Sequence, residues 1–160
     1  MYHGHGGVVI GSEMSGGVEN VTVRDCRFIG TDVGLRFKSA RGRGGLVENV
    51  WCDHIYMQDI VGEAVTFNLY YAGTAEADRA AAKEEELLAV DETTPEFHGF
   101  HFSDIVCAGA GQAIYINGLP ERPLADVSFR DCSFSARKGV EAHYCESVEY
   151  RNVTVNGKKI

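Results

Sequence analysis

Short stretches of alternating apolar and polar residues recur along the whole chain. In five eight-residue segments the first, third, sixth and eighth places are nearly always apolar, whereas the second and fourth are mostly polar. These long elements begin at Val21, Val50, Phe100, Val127 and Val148. A period of two is typical of a β-strand with one buried face, and the break after the fifth place indicates a bend between two strands.

A second, shorter strand element alternates with the first. Its copies begin at Val8, Leu35, Val65, Ile114 and Val140, and a glycine precedes nearly every copy by one to three residues. Glycine is favoured where a chain turns a tight corner with positive φ. Successive copies start 27, 30, 49 and 26 residues apart. A unit of this kind, with two or three short strands, is typical of one coil of a parallel β-helix.

The interleaved elements predict an all-β fold, a right-handed single-stranded parallel β-helix of about five coils. One domain is expected to span residues 1–160. A single coil cannot bury its apolar side, so stacked coils share one core and equivalent residues align in ladders. One ladder is expected at the sixth place of the long element, with the members Cys26, Ile55, Ile105, Cys132 and Val153.

The longest interval between short elements contains an insertion at about residues 72–97. Strong helix formers without glycine or proline occupy residues 75–88. An isolated helix of this length is only marginally stable in water. The sequence therefore predicts either a short surface helix or a disordered acidic loop, with a lid or rim over a neighbouring cleft as the functional alternative.

Composition adds several exclusions. The net charge is −8, of which residues 71–96 contribute −6 through two basic and eight acidic side chains. No basic stripe indicates a nucleic-acid partner, no apolar run reaches the roughly 18 residues of a membrane span, and the N-terminus does not resemble a signal peptide. Five cysteines without a Cys-x-x-Cys pair indicate buried thiols rather than disulfides or zinc ligands, and no metal or cofactor is expected.

Two cations occupy the second short element. Leu35 and Phe37 are predicted to face the core, so Arg36 and Lys38 would both face away from it, about 6.6 Å apart. Neighbouring cations repel each other unless an anion lies between or over them. The pair is therefore either a solvated surface pair neutralised by local carboxylates, or a clamp for a carboxylate or phosphate group.

His5 lies between two glycines, which leave a ligand space to approach. It precedes Val9 by four residues, and Val9 aligns with Arg36 on the next rung. We therefore expect His5, Arg36 and Lys38 to line one groove, with a turn histidine of no function as the alternative. Asp32 aligns one rung below His5, which allows a carboxylate–histidine pair.

These segments carry a family resemblance. Gly4-His5-Gly6, followed one coil later by Arg36-Phe37-Lys38, resembles glycoside hydrolase family 28, the polygalacturonases. That family is marked in order by Asn-Thr-Asp, Asp-Asp, Gly-His-Gly and Arg-Ile-Lys segments on a right-handed parallel β-helix. The chain matches the third segment, and the fourth with Phe37 in place of isoleucine. The residues from Gly111 to Gly118 also look like bacterial members.

The resemblance implies inverting hydrolysis of α-1,4-galacturonosidic bonds in pectin, with aspartates as acid and water activator. It implies that His5 assists by tuning the protonation of the acid, and that Arg36 and Lys38 bind the uronate carboxylate of the substrate. The first two family segments have no match here, and the aspartates present match no catalytic segment. We therefore expect part of a catalytic domain, truncated at its N-terminal end and inactive alone.

Other interpretations stay open. One is a non-catalytic uronate-binding or structural β-helix module. Another is a pectate lyase-like protein, which needs acidic calcium ligands that the sequence does not offer beside Arg36. An exposed N-terminal coil bearing Val8, Val9 and Ile10 predicts a homodimer through that face. The resemblance implies a secreted or periplasmic parent protein that acts on galacturonate-containing polysaccharide.

Overall fold

The computed structural model describes residues 1–71 and 87–160, which form eight β-strands and no helix. Nothing in these two stretches is a helix long and apolar enough to cross a membrane. The strands are β1 (Val8–Ile10), β2 (Val18–Ile29), β3 (Leu35–Lys38), β4 (Leu46–Asn68), β5 (Glu96–Asn117), β6 (Ala125–His143), β7 (Val148–Val155) and β8 (Lys158–Lys159).

The strands stack as the rungs of a parallel β-helix. β4, β5 and β6 each run through both elements of one coil, β2 and β3 together make the coil before them, and β1 and β7 are partial coils. Neighbouring rungs pair in parallel, and β7 and β8 close the stack as an antiparallel hairpin. The predicted all-β parallel β-helix is confirmed.

The register of the rungs agrees with the predicted ladders. In the long element, Cys26 pairs with Ile55, Ile55 with Ile105, and Cys132 with Val153. In the short element the first residues pair in the order Val8, Leu35, Val65, Ile114 and Val140. Because side chains alternate along a strand, this register points the predicted core positions towards one interior, and most of them are buried. The last short element is the exception, since Val140 is 37% exposed.

Each long element bends at its fifth residue, which has a positive φ of 52° to 55° in all five copies. A left-handed backbone is adopted most readily by glycine, asparagine, aspartate and histidine. The five residues belong to these types: Asp25, His54, Asp104, Asp131 and Asn152. The sequence predicted the bend after this residue, and the structure places it on the residue itself.

Stacked aromatic rings fill the core beneath the short element. Phe37 stacks on Phe67 with ring centroids 4.8 Å apart, and Phe67 meets the edge of Phe100 at 4.8 Å. Phe102 stacks on Phe129 at 4.6 Å. Such pairs each contribute about 0.5–1.5 kcal/mol beyond the burial of their area. They fix the strand whose outer face carries Arg36 and Lys38.

The predicted insertion at residues 72–97 lies partly outside the described residues, namely at residues 72–86. Residues 87–95 contain no helix, and β5 begins at Glu96, so the strand takes the last two residues of the predicted insertion. The Asp91 carboxylate accepts a hydrogen bond from the Thr93 backbone N–H at 2.8 Å. Arg122 donates to the carbonyl oxygen of Thr94 at 2.7 Å, which anchors this end of the insertion.

All five cysteines are free thiols. Cys52, Cys107 and Cys132 are buried, whereas Cys26 and Cys145 are partly exposed. Burial raises the pKa of Cys52 to about 12, and that of Cys107 and Cys132 to about 11. The three buried thiols therefore stay protonated and act as small apolar side chains, as the sequence predicted.

The left-handed bend residues offer a direct stability test. Asp104→Val places a β-branched side chain at a φ of 52°, and we expect its free energy of unfolding to be about 1–2 kcal/mol below that of Asp104→Gly. Urea denaturation of the two variants measures the difference. Ser133→Val, on an extended part of β6, is the control and should show no comparable loss. Equal stability of the two Asp104 variants would contradict a conformational cause.

Candidate functional site

A hydrogen-bonded chain of three side chains lies at the N-terminal end of the stack. Arg36 Nη1 donates to His5 Nε2 at 3.0 Å, and His5 Nδ1 lies 2.8 Å from Asp32 Oδ2. A guanidinium has only donors and a carboxylate only acceptors, so Nε2 accepts and Nδ1 carries the proton. The geometry therefore selects a neutral imidazole protonated on Nδ1. The predicted proximity of His5 and Arg36 and the carboxylate–histidine pair are both present.

The glycine-rich segment around His5 is held against the next coil by its backbone. The Asp32 N–H donates to the Gly4 carbonyl at 2.9 Å, and the Gly7 N–H donates to the Gly34 carbonyl at 2.9 Å. A Cβ on Gly7 would lie 2.4 Å from the Phe28 ring and 2.7 Å from that carbonyl oxygen. Glycine at this position therefore permits the close approach that brings the imidazole to Arg36.

Arg36 and Lys38 lie on the outer face of β3, opposite the fully buried Leu35 and Phe37. Both cations contact the ring of Tyr71. Lys38 Nζ lies 4.0 Å and Arg36 Cζ 5.5 Å from the ring centroid. The ring covers Lys38, which is only 9% exposed. The strand pattern alone does not reveal this burial, because the covering residue belongs to the following coil.

In the described residues an aromatic face lies against the two cations. Within the described residues neither Arg36 nor Lys38 forms an ion pair with an acidic side chain. The electron-rich face of Tyr71 attracts each cation by about 0.5–2 kcal/mol, which offsets part of their mutual repulsion. Among residues 1–71 and 87–160 the two cations have no carboxylate that neutralises them. Within this part of the chain the site keeps an excess of positive charge that an anion can neutralise.

Backbone contacts after β4 position Tyr71. Its N–H donates to the Ser39 carbonyl at 3.0 Å, and Tyr70 forms an antiparallel bridge with Ala40. The Tyr70 N–H donates to Asn68 Oδ1 at 3.0 Å, which shapes the turn at the end of the strand. This turn directs Tyr71 back over the preceding rung.

A buried ion pair supports the same turn from below. Arg41 Nε lies 2.6 Å from Glu121 Oε1 and its Nη2 lies 2.8 Å from Oε2, so the contact is bidentate. The Glu121 side chain is 2% exposed, and Arg41 Cζ lies 5.2 Å from the Tyr70 ring centroid. The hydrogen bond from Arg41 holds the pKa of Glu121 below its usual value. This pair ties the segment after Lys38 to the loop after β5.

In the described residues, one group of side chains could hold a metal ion, and it lies away from His5 and Arg36 in the sequence. Ligand atoms of Asp53, His54 and Asp104 lie within 4.8 Å of one another at the bend of the long elements. His54 Nδ1 contacts Asp53 Oδ2 at 2.8 Å, and Ser103 donates to Asp53 Oδ1 at 2.8 Å. The hydrogen bond to Asp53 raises the pKa of His54. This cluster is not beside Arg36, where a pectate lyase-like calcium site would need its ligands.

Comparison with known proteins identifies the family of the chain. The sequence model of Glycosyl hydrolases family 28 matches residues 1–155. The chain belongs to this family. The Gly-His-Gly and Arg-Phe-Lys segments that suggested it are the ones that the structure brings together at His5 and Arg36.

Several family 28 proteins align with the chain. A probable polygalacturonase of Vitis vinifera is 24% identical over 120 residues, covering 75% of this chain and 22% of that protein. A polygalacturonase of Ralstonia solanacearum is 43% identical over 75 residues, covering 44% of this chain and 14% of that protein. An exo-poly-alpha-D-galacturonosidase of Dickeya chrysanthemi is 27% identical over 177 residues, covering 99% of this chain and 29% of that protein.

A solved family structure has the same fold. The crystal structure of an exopolygalacturonase from Thermotoga maritima matches with a TM-score of 0.82 and 26% identity, covering 98% of this chain and 32% of that one. This match confirms the predicted right-handed parallel β-helix. In each of these comparisons the chain spans less than a third of the relative's length.

The buried ion pair beneath Tyr70 predicts a pH dependence of stability. Because the folded pKa of Glu121 is depressed, its stabilisation is present above the unfolded value of about 4.3 and is lost as pH falls through the folded value. We expect Glu121→Gln to lower the free energy of unfolding by about 3 kcal/mol at pH 7. The difference in the free energy of unfolding between Glu121→Gln and the unsubstituted protein should become smaller below about pH 4.3.

Denaturation at pH 7 and at pH 3 measures both values. The control is Glu149→Gln, which removes the partner of Arg151 in a pair with side chains 63% and 72% exposed. Exposed pairs contribute little, so this change should stay below about 1 kcal/mol at both pH values. A gap for Glu121→Gln that does not depend on pH would contradict the electrostatic origin.

Proposed function

We propose that Arg36, Lys38, Tyr71 and His5 form the uronate-binding part of a polygalacturonase active site. The main support for this proposal is that Arg36 and Lys38 both contact the ring of Tyr71 and have no carboxylate partner in the described residues. A galacturonate carboxylate supplies the missing negative charge, and Arg36 has a planar fork that binds carboxylates bidentately. Family membership and the names of the relatives support a polygalacturonate substrate.

The reaction that we propose for the whole protein is hydrolysis of α-1,4-galacturonosidic bonds in pectin with inversion. Inverting enzymes use two carboxyl groups about 6.5–9.5 Å apart, one as acid and one to activate water. The Asn-Thr-Asp and Asp-Asp segments of the family have no match in the 160 residues. The carboxylate found beside His5, that of Asp32, already accepts a hydrogen bond from the imidazole.

We therefore assign binding, and not bond cleavage, to the 160-residue chain by itself. In the whole protein, Arg36 and Lys38 would hold the uronate carboxylate, and Tyr71 would limit the directions from which it approaches. His5 would assist by tuning the protonation of the acid aspartate. The alternative is a non-catalytic uronate-binding or structural module, and the two differ in whether an upstream pair of aspartates completes the site.

Calorimetric titration with oligogalacturonate at low salt tests the binding site. We expect binding to the unsubstituted chain and a loss of affinity of about tenfold or more in Arg36→Ala and in Lys38→Ala, because charge-assisted contacts contribute about 1.5–3 kcal/mol. Arg27→Ala is the matched control, since this cation lies against Tyr56 at another place on the stack, and its affinity should be unchanged. The uncharged galactose oligomer should not bind.

The same samples decide between binding and cleavage. A reducing-sugar assay on polygalacturonate should show no turnover above the blank. Turnover at an enzymatic rate would contradict the assignment of binding alone. A complete failure of oligogalacturonate to bind would favour the structural alternative.

We further propose that the isolated chain forms a homodimer through its N-terminal rung. β1 pairs with β3 on one side only within the described residues, and Val9 is 40% exposed beside that edge. Unpaired strand edges with apolar side chains promote association. Light scattering should show a dimer that Val9→Lys weakens and Val61→Lys does not, Val61 being 62% exposed elsewhere. A monomer at high concentration would contradict the proposal.

A further inference from the structure

The carboxylate of Asp32 is not one of the groups proposed to contact the uronate. It lies 2.8 Å from His5 Nδ1, and it is the described carboxylate that contacts this ring. Both nitrogens of the imidazole are thereby engaged, one by a group that only accepts and one by a group that only donates. A histidine bonded in this way has one permitted tautomer.

The backbone of Asp32 is fixed on both sides by neighbouring coils. Its N–H donates to the Gly4 carbonyl at 2.9 Å, and its carbonyl oxygen accepts from the Gly62 N–H at 2.7 Å. The adjacent Thr31 is fully buried, and its hydroxyl donates to the Val33 carbonyl at 2.9 Å. The carboxylate therefore starts from a rigid turn, whereas the imidazole comes from the glycine-rich segment.

The far end of the chain of hydrogen bonds is the guanidinium of Arg36. His5 takes one N–H of Nη1, and the Tyr71 ring lies against the guanidinium, with its centroid 5.5 Å from Cζ. A guanidinium has five N–H donors, so the edge formed by Nε and Nη2 stays available for a carboxylate. The orientation of this edge depends on Nε2 of His5 being an acceptor.

We propose that Asp32 is a positioning residue for the uronate site. It fixes a proton of His5 on Nδ1, and the imidazole in turn orients Arg36 through Nε2 for a substrate carboxylate. Without the carboxylate of Asp32, the ring is free to carry its proton on Nε2, where an N–H would face the N–H of Arg36. The effect on substrate rests on the proposed function, whereas the tautomer of His5 does not.

Nitrogen-15 NMR of the histidine rings tests the tautomer directly in the ligand-free chain. The His5 signal is assigned by its disappearance in His5→Gln. We expect the proton on Nδ1 in the unsubstituted chain. In Asp32→Asn we expect a larger share of the Nε2–H tautomer, because the neutral amide oxygen accepts more weakly than the carboxylate while Arg36 still donates to Nε2. Asp25→Asn is the control, because Asp25 contacts Arg24 and not His5, and it should leave the His5 signal unchanged.

Calorimetry with oligogalacturonate on the same variants tests the consequence for binding. We expect Asp32→Asn to lose affinity by about three- to tenfold, less than Arg36→Ala, because the guanidinium is still present but is misoriented. Urea denaturation separates this from a loss of folding, since both groups of the His5–Asp32 pair are more than half exposed and stability should change by less than about 1 kcal/mol.

The outcomes separate the two claims. An Nε2–H tautomer in the unsubstituted chain, or an unchanged tautomer in Asp32→Asn, overturns the positioning role whatever the affinity. A tautomer shift with unchanged affinity overturns the link from Asp32 to the substrate. The expected tautomers together with no oligogalacturonate binding to any variant leave the hydrogen-bonded chain intact and refute the uronate site instead.

Discussion

Parallel hydrogen bonding between coils holds each residue beside its equivalent about 4.8 Å away, and every other feature of the molecule depends on this register. The pairing of Val9 with Arg36 determines how far His5 lies from the guanidinium. A slip of one residue in β3 would turn Arg36 and Lys38 into the core and Phe37 out of it. The stacked phenylalanines oppose such a slip, because Phe37 is in contact with rings from two other rungs.

Electrostatics at the site follow from that constraint. Two cations on one strand face cannot move apart, since their Cα atoms are fixed by pairing to β4. In the part of the chain that the structure describes, their repulsion is offset by polarizable and neutral partners, the Tyr71 ring and the His5 imidazole. Such partners leave the positive charge of the two cations available to an anion. An acidic neighbour in the same place would compete with any anionic ligand.

Much of the fold was predictable because burial imposes a period on the sequence. The ladders, the coil architecture and the inward faces of Leu35 and Phe37 all follow from alternation, and the bend residues follow from the types that tolerate a positive φ. A second left-handed place before the long element was not predicted, although four coils show it: Asn20, Asn49, Gly99 and Asp126.

The site was predictable only as far as it lies on the rungs. The alignment of His5, Asp32 and Arg36 follows from coil register, so their contacts could be expected. Tyr71 lies beyond the end of β4, where the path of the turn depends on individual hydrogen bonds and not on a period. The partners of the buried ion pair are 80 residues apart in sequence and belong to two turns, so no spacing rule relates them.

The unequal coils have an evolutionary consequence. The short elements at Val65 and Ile114 are separated by 49 residues and those at Ile114 and Val140 by 26, yet the rungs on both sides stay paired in parallel, with one register shift in each pair. Chain length between rungs is thus decoupled from the placement of the rungs themselves. Within a lineage, connecting segments beside the site can lengthen, shorten or be replaced without displacing Arg36 or Lys38. Selection can therefore change which ligands are able to approach the two cations while the cations themselves are inherited unchanged.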